Sequence, residues 1–313
     1  MEFLKEHKIS ERHANLRVDL FLAKQYGYLS RSEWQREIVR GKITYNGAVL
    51  EKFDRRTRQG DFIVYAGRDA AEPDVDPDYT VIFEDEHLLG INKPGNLPVH
   101  PAGVFYHNTL LTLLQNRLGR KLHLLHRLDR ETSGVVLLAK EPAIAARMHA
   151  SFGSVRKTYL ALVHGVPEND TFVVDMPIDF DAESMLEHKR IAYAGARETA
   201  QTGFARILSF CNHSLLRAVP VTGRQHQIRV HLKFAGYPIV GDKLYGTDER
   251  FYVDFMNRRP TEELARAIGF PRSALHSRSL VFTHPVTGRE TILKAPLPAD
   301  MRAFIRTEWN HHV

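Results

Sequence analysis

Between Arg17 and Tyr65 the hydrophobic and polar positions follow a rhythm of their own. Apolar Val18, Leu20, Phe21 and Leu22 crowd the segment RVDLFLAKQYG, which predicts a helix, and a polar stop separates it from a second helical stretch, SRSEWQREIVRG. Ser30, followed three residues later by Glu33, has the spacing of a capping box for that second helix. The short runs KITYNG and DFIVYAG predict strands, with Asn46-Gly47 as the turn between extended pieces. Residues 67–79, GRDAAEPDVDPDY, are acidic, contain proline and lack any period, so they read as a linker. The expected organisation is a small unit over 1–66, a linker over 67–79 and a larger unit over 80–313.

From Thr80 onward, short β-rich runs alternate with helical ones. TVIFEDEHLLGINK, KLHLLH, SGVVLLAK, KTYLALVHG, TGFARILSF and HSLLRAVPV predict strands. LTLLQNRLG, EPAIAARMHASFG and QHQIRVHLKFAG have helical spacing. This alternation predicts an α+β class, a mixed and largely antiparallel sheet with helices packed on it. No repeated βαβ unit carries a Gly-rich phosphate loop, so a nucleotide-cofactor fold is not expected.

Composition narrows the chemistry. A formal charge of +6 over 313 residues is compatible with a polyanionic partner. The single cysteine, Cys211, rules out a disulfide within the chain and leaves a cysteine-based zinc or iron–sulfur site without ligands. The 17 histidines are scattered, and none falls into a recognisable ligand spacing, so no metal is expected; His311-His312 reads as a solvated tail. No signal-like stretch opens the chain and no run has the apolar length of a membrane span, which points to a cytosolic protein.

Two segments carry functional chemistry. Arg31, Arg36, Arg40 and Lys42 gather on and just after the second helix, where a basic face can track phosphates; a solvated charged face is the plainer alternative. Leu125-His126-Arg127-Leu128-Asp129-Arg130-Glu131-Thr132-Ser133-Gly134 lies between two strand-like runs. A loop at a strand end presents its side chains to a cleft, and an aspartate flanked by two arginines stays ionised. Such a carboxylate can serve as nucleophile or base, whereas the shorter pattern of an acid between arginines would also suit a salt-bridged tie.

The whole string is more specific. The run from His126 to Gly134 resembles the signature of the RluA-type pseudouridine synthases. Matching segments follow in order: Glu84-Asp85-Glu86 through Asn92-Lys93-Pro94, then Lys157-Thr158-Tyr159 with Val163-His164-Gly165, then Thr222 to Leu232, then Pro238 to Gly246, and finally Leu275-His276 with Phe282, His284 and Pro285. Arg17, Asp19, Ser30-Arg31-Ser32, Ile38, Gly41-Lys42-Ile43, Asn46-Gly47 and Gly60-Asp61 resemble the small RNA-binding module named after ribosomal protein S four. The chain departs from the family at Pro94-Gly95-Asn96, where Pro-Ala-Gly is common, and at Ser277, where alanine is usual.

The resemblance implies a cofactor-free isomerase acting on uridines of structured RNA, with ribosomal large-subunit RNA as the expected substrate and transfer RNA as the alternative. Asp129 matches the catalytic aspartate. It could stabilise an electron-poor sugar, trap it covalently or remove a sugar proton, and the sequence does not choose. Tyr159 matches the pocket tyrosine and Arg229 the partner of the aspartate, in a helical stretch with Gln225 a turn before and Lys233 a turn after. Arg127 matches the side chain that fills the space left by an extruded base. His126, Lys93 and Arg224 are expected at the RNA surface together with Arg31, Arg36, Arg40 and Lys42, Gly223-Arg224 offering backbone donors to a phosphate. A monomer is expected. Two other readings compete: an idle RNA-binding scaffold, and a carboxylate-dependent hydrolase with Glu131 as its second acid.

Overall fold

Residues Met1–Asp74 with Pro101–His107 form one unit and Val75–His100 with Asn108–Val313 another. The computed structural model describes residues 3–26, 29, 31–67, 72–102, 105, 107–184, 186, 189–248, 252 and 268–310. Ser30, part of the expected linker and the His311-His312 pair lie outside them.

The smaller unit runs β1 (Phe3–Lys8), α1 (Val18–Gln25), α2 (Arg31–Val39), β2 (Ile43–Tyr45), β3 (Ala48–Val49) and β4 (Phe62–Gly67). Its sheet has the order β1-β4-β2-β3, and α1 and α2 contribute Val18, Phe21, Leu22, Trp34 and Ile38 to a core closed by Ile43, Tyr45 and Ile63. Asn46 and Gly47 take positive φ (50° and 81°), as the turn between β2 and β3 requires. One buried position is not apolar. Asp19 is fully buried and accepts from Arg17, Arg31 and Gln35, and these bonds outweigh burial and hold its carboxyl at about 2.

The larger unit contains β5 (Thr80–Glu84), β6 (Leu88–Lys93), α3 (Leu110–Leu118), β7 (His123–Leu124), β8 (Ser133–Ala139), α4 (Pro142–Ser151), β9 (Arg156–His164), β10 (Thr171–Asp175), β11 (Ile178–Phe180), β12 (Arg190–Ala192), β13 (Gln201–Phe210), β14 (His213–Pro220), α5 (Gln227–Phe234), β15 (Leu275–Thr283), β16 (Glu290–Lys294) and α6 (Ala299–Asn310). The main sheet follows the order β10-β13-β14-β9-β15-β8-β6-β5, with β16 beside β15 and β7 beside β8, while β11 and β12 pair separately. Every pairing is antiparallel except β15 with β8. The predicted α+β class with a mixed, largely antiparallel sheet is the observed one.

Strand alternation explains how the sheet is covered. All seven residues of β8 are buried, and they serve two faces. Val135, Leu137 and Ala139 pack with Ile144, Ala145 and Met148 of α4, whereas Val136 and Leu138 join Leu89, Ile91 and the α3 residues Leu110 and Leu114. At roughly 1.5–3 kcal/mol for each large apolar side chain removed from water, these two layers fix the sheet that carries the site. Helix ends are specified locally: the Thr109 hydroxyl accepts from the Thr112 N–H, Gly119 closes α3 in the left-handed region, and Pro142 opens α4.

Candidate active site

Asp129 stands in the loop between β7 and β8, and the loop is tied down at several points. The Thr132 N–H donates to the Asp129 carbonyl, the Arg130 carbonyl accepts from the Leu97 N–H, and the Glu131 carboxylate accepts from Lys243 Nζ at 2.6 Å and the Ser273 N–H at 2.9 Å. Glu131 is therefore a loop anchor, turned to Lys243 and Ser273. Gly134 follows at φ 109°, with its Cα against the Ser277 carbonyl, so a β-carbon there would collide with backbone.

Arg229 projects from α5 and joins two carboxylates. Its Nη1 donates to Asp129 Oδ2 at 2.8 Å, while Nε and Nη2 hold Asp242 at 2.6 and 2.8 Å. Asp242 is almost wholly buried and also accepts from the Leu244 and Tyr245 N–H groups, so it aims the guanidinium at Asp129. Gly241 turns just before it at φ 74°, pressed against the Arg272 carbonyl. Asp129 keeps about a third of its side-chain surface open (34%). Burial pushes its carboxyl up, but the groups around it win and the net shift is downward. His226 Nε2 approaches Asp129 Oδ1 to 3.7 Å, and Lys93 adds a further field. Burial holds His226 itself at about 4, so near neutrality that ring is uncharged and the carboxylate depends on Arg229.

Tyr159, on β9, lies opposite Ser277 of β15, which in turn lies opposite Gly134 of β8, and Gly134 opposite Lys93 of β6. Directly paired residues share a face of the sheet, so Lys93, Ser277 and Tyr159 form one polar row on the side fed by Leu89, Ile91, Val136 and Leu138. Burial, reinforced by the Asp129 charge, pushes the Tyr159 phenol up to about 12, so it remains protonated near neutrality.

One expected RNA contact, Lys93, needs correction, and a second, His126, is partly engaged within the fold. Lys93 is fully buried, and its Nζ donates to the carbonyls of Pro94, Leu97 and Arg130 at 2.8, 2.9 and 3.0 Å. Three donated bonds use every proton of an ammonium, although burial lowers its pKa to about 7; Lys93 braces the loop from beneath and has no donor left for RNA. His126 accepts the Leu137 N–H through Nε2 at 3.1 Å and stacks on Phe152, and burial drops it to about 3. It is a neutral strut. Arg127 is exposed on the same loop with Nη1 3.0 Å from His100 Nε2. Arg224 is partly exposed, donating from Nε to the Thr199 carbonyl, and its backbone N–H is taken by the Gln227 side chain. In the smaller unit Arg31 is held by Asp19 and Arg40 by Glu37, Arg36 is exposed and Lys42 half-buried. Helix α5 begins at Gln227, not at Gln225, because His226 takes φ 58°.

Sequence reading assigned no role to Asp242 or His226. An acid inside the apolar run before Leu244-Tyr245 was the available signal for the first. For His226 the signal is structural: Tyr245 Oη accepts the Arg190 N–H, which frees its proton for His226 Nδ1 at 2.9 Å and leaves the Nε2 proton facing Asp129. Among the described residues no group of three or more His, Cys, Asp or Glu side chains could hold a metal, and no helix is long and apolar enough to cross a membrane.

An ionised carboxylate, one-third open and clamped by one arginine, thus shares the larger unit with a half-buried tyrosine. The family model described as RNA pseudouridylate synthase matches residues 87–234. The chain is 32% identical to the ribosomal large subunit pseudouridine synthase D of Pseudomonas aeruginosa, over 91% of this chain and 89% of that protein. It belongs to the RNA pseudouridine synthase family. The synthase of the same name from Zymomonas mobilis is 30% identical over 95% of both chains. The solved structure of human RNA pseudouridylate synthase domain containing 4 superposes with a TM-score of 0.56 at 30% identity, covering 72% of this chain and 91% of that one. The chain is thus an isomerase of RNA uridine, and Asp129 with its Arg229 clamp sits within the span matched by the family model.

Proposed function

We propose that this synthase converts specific uridines of large-subunit ribosomal RNA to pseudouridine, with Asp129 as the catalytic carboxylate, Tyr159 as the pocket aromatic and Arg229 as the clamp. The observation that carries this reading is the 2.8 Å bond from Arg229 to an Asp129 carboxylate that stays open on its other side. The reaction breaks the bond from the anomeric carbon to N1, turns the uracil, and joins C5 to the same carbon; N1 gains a proton and C5 loses one, so no redox partner is required. The sugar becomes electron-poor when the bond breaks, and an ionised carboxylate offsets that charge in a site where water screens little.

The target base must leave its stack to reach Asp129, at a cost of a few kcal/mol. Tyr159 offers the ring on which uracil lies, and Arg127, exposed on the Asp129 loop, replaces the base in the helix by stacking and hydrogen bonding. Arg224, with its partly exposed guanidinium, meets a phosphate. The smaller unit docks on folded RNA through Arg36 and its basic neighbours Arg31, Arg40 and Lys42. The protein works in the cytoplasm as a monomer, and the ribosomal names of its relatives favour ribosomal over transfer RNA as the substrate.

Chemical mapping of pseudouridine in total RNA, from cells with and without the gene, tests the reading. The expected result is loss of one or more modified positions in large-subunit ribosomal RNA; loss confined to transfer RNA would move the substrate, and an unchanged map would discard it.

A further inference from the structure

Ser277 is the member of the polar row with no settled role. Its side chain is fully buried in the middle of the sheet, and its Oγ has no hydrogen-bond partner among the described residues. A buried hydroxyl left unpaired costs about as much as a lost hydrogen bond, so such groups are few in folded proteins and tend to mark a function. The backbone around it is occupied, because β15 is flanked by β8 on one side and β9 on the other. On its own face of the sheet, Ser277 has Gly134 to one side, which offers no side chain, and Tyr159 to the other. The register of β15 against β9 breaks immediately after this pair, between Ser277 and Ser279, which leaves the Ser277–Tyr159 pair at the end of a regular stretch. The Ser277 hydroxyl faces the phenol closely enough to oppose the upward pull of burial on it, short of full hydrogen-bonding geometry.

We propose that Ser277 is a positioning residue for Tyr159: when the target uracil settles on the tyrosine ring, the Ser277 hydroxyl donates to Tyr159 Oη, fixing the ring and turning the phenolic proton toward the Asp129 side of the pocket. The free enzyme holds this donor in reserve. Its pairing with Tyr159 is then part of the difference between empty and occupied site, and favours the occupied one. The proposal rests on the assignment of Asp129 and Tyr159 to the uridine pocket. Alanine at the same position would have no hydroxyl to give.

The test is Ser277→Ala, which removes a single oxygen, with Ser277→Cys restoring a weak donor of similar size. Turnover is measured on an unmodified large-subunit ribosomal RNA transcript, and the Tyr159 ring is read by NMR of protein labelled at tyrosine Cζ, its signal assigned by absence in Tyr159→Phe. The expected result is a five- to tenfold fall in kcat for Ser277→Ala with KM unchanged, partial recovery in Ser277→Cys, an undiminished melting temperature, and an RNA-induced shift of the Tyr159 signal that is present in the wild type and lost in the alanine variant. Wild-type turnover in Ser277→Ala, or the same RNA-induced shift in both proteins, would overturn the proposal. If wild-type protein formed no pseudouridine on the transcript while the Ser277-dependent shift persisted, the substrate assignment would fall and the contact would stand.

Discussion

Replacing Arg229 with methionine probes the centre of the site, because one side chain holds two carboxylates of opposite exposure. Asp242 is 1% exposed and loses both nitrogens of its bidentate partner, whereas Asp129, one-third open, loses only one. Leaving a buried charge unpaired costs about 3–5 kcal/mol, and nearly all of that belongs to Asp242. The sign of the pH dependence follows. In the wild type the Asp242 carboxyl is depressed, since Arg229 overcomes the effect of burial, so its contribution is fully present above the ordinary aspartate value and is lost only as pH falls through the depressed one. In Arg229→Met the Leu244 and Tyr245 N–H groups still oppose burial, but without the guanidinium the Asp242 pKa rises. The folded variant then holds a proton that the unfolded chain has released, and its stability declines as pH rises. Lys93, at about 7, makes stability rise with pH above that value in both proteins and cancels in the difference. Urea unfolding of wild type and variant should therefore give a deficit of about 3–5 kcal/mol near pH 8 that shrinks by a kcal/mol or more near pH 5. A deficit below about 1 kcal/mol, or one that grows toward acid, would refute the account of Arg229 as the counter-ion of a buried acid.

Other outcomes follow from the same geometry. Asp129→Asn should lower the single-turnover rate by about 10²–10⁴-fold while RNA affinity, measured by filter binding, stays near wild type. Arg229→Lys keeps a cation but loses the fork, so the acid limb of its pH–rate profile should move upward as Asp129 becomes easier to protonate. Gly134→Ala must fit a β-carbon against the Ser277 carbonyl at φ 109°, and a loss of about 3 kcal/mol by chemical unfolding is expected. Arg36→Ala should weaken RNA binding and reduce the slope of log affinity against log salt by about one, with chemistry on bound RNA unchanged.

Much of this was readable before folding because the chemistry is contiguous. The Asp129 loop, the α5 arginine and the strand that carries Tyr159 each occupy one short segment with its own pattern, and the apolar runs that became β6 and β8 already read as strands. What could not be read depends on residues far apart in sequence. Lys93 at a strand end looks like a cleft cation until the carbonyls of Leu97 and Arg130 are placed around it. Asp242 acquires meaning only when α5 swings Arg229 against it, and His126 becomes a strut because Leu137 presents its N–H. Periodicity also predicts which residues of a strand are inside without naming the strand's neighbours, so the insertion of β15 between β9 and β8 was not foreseen.

That insertion bears on how the polypeptide matures during synthesis. β15 is the seam between two half-sheets, and it joins Ser133 to His276 across 143 positions of sequence. Until residues 275–283 have left the ribosome, β9 and β8 lack the strand that joins them in one sheet. Assembly of the sheet thus waits on one of the last strands made, a long-range closure of the kind that makes folding slow.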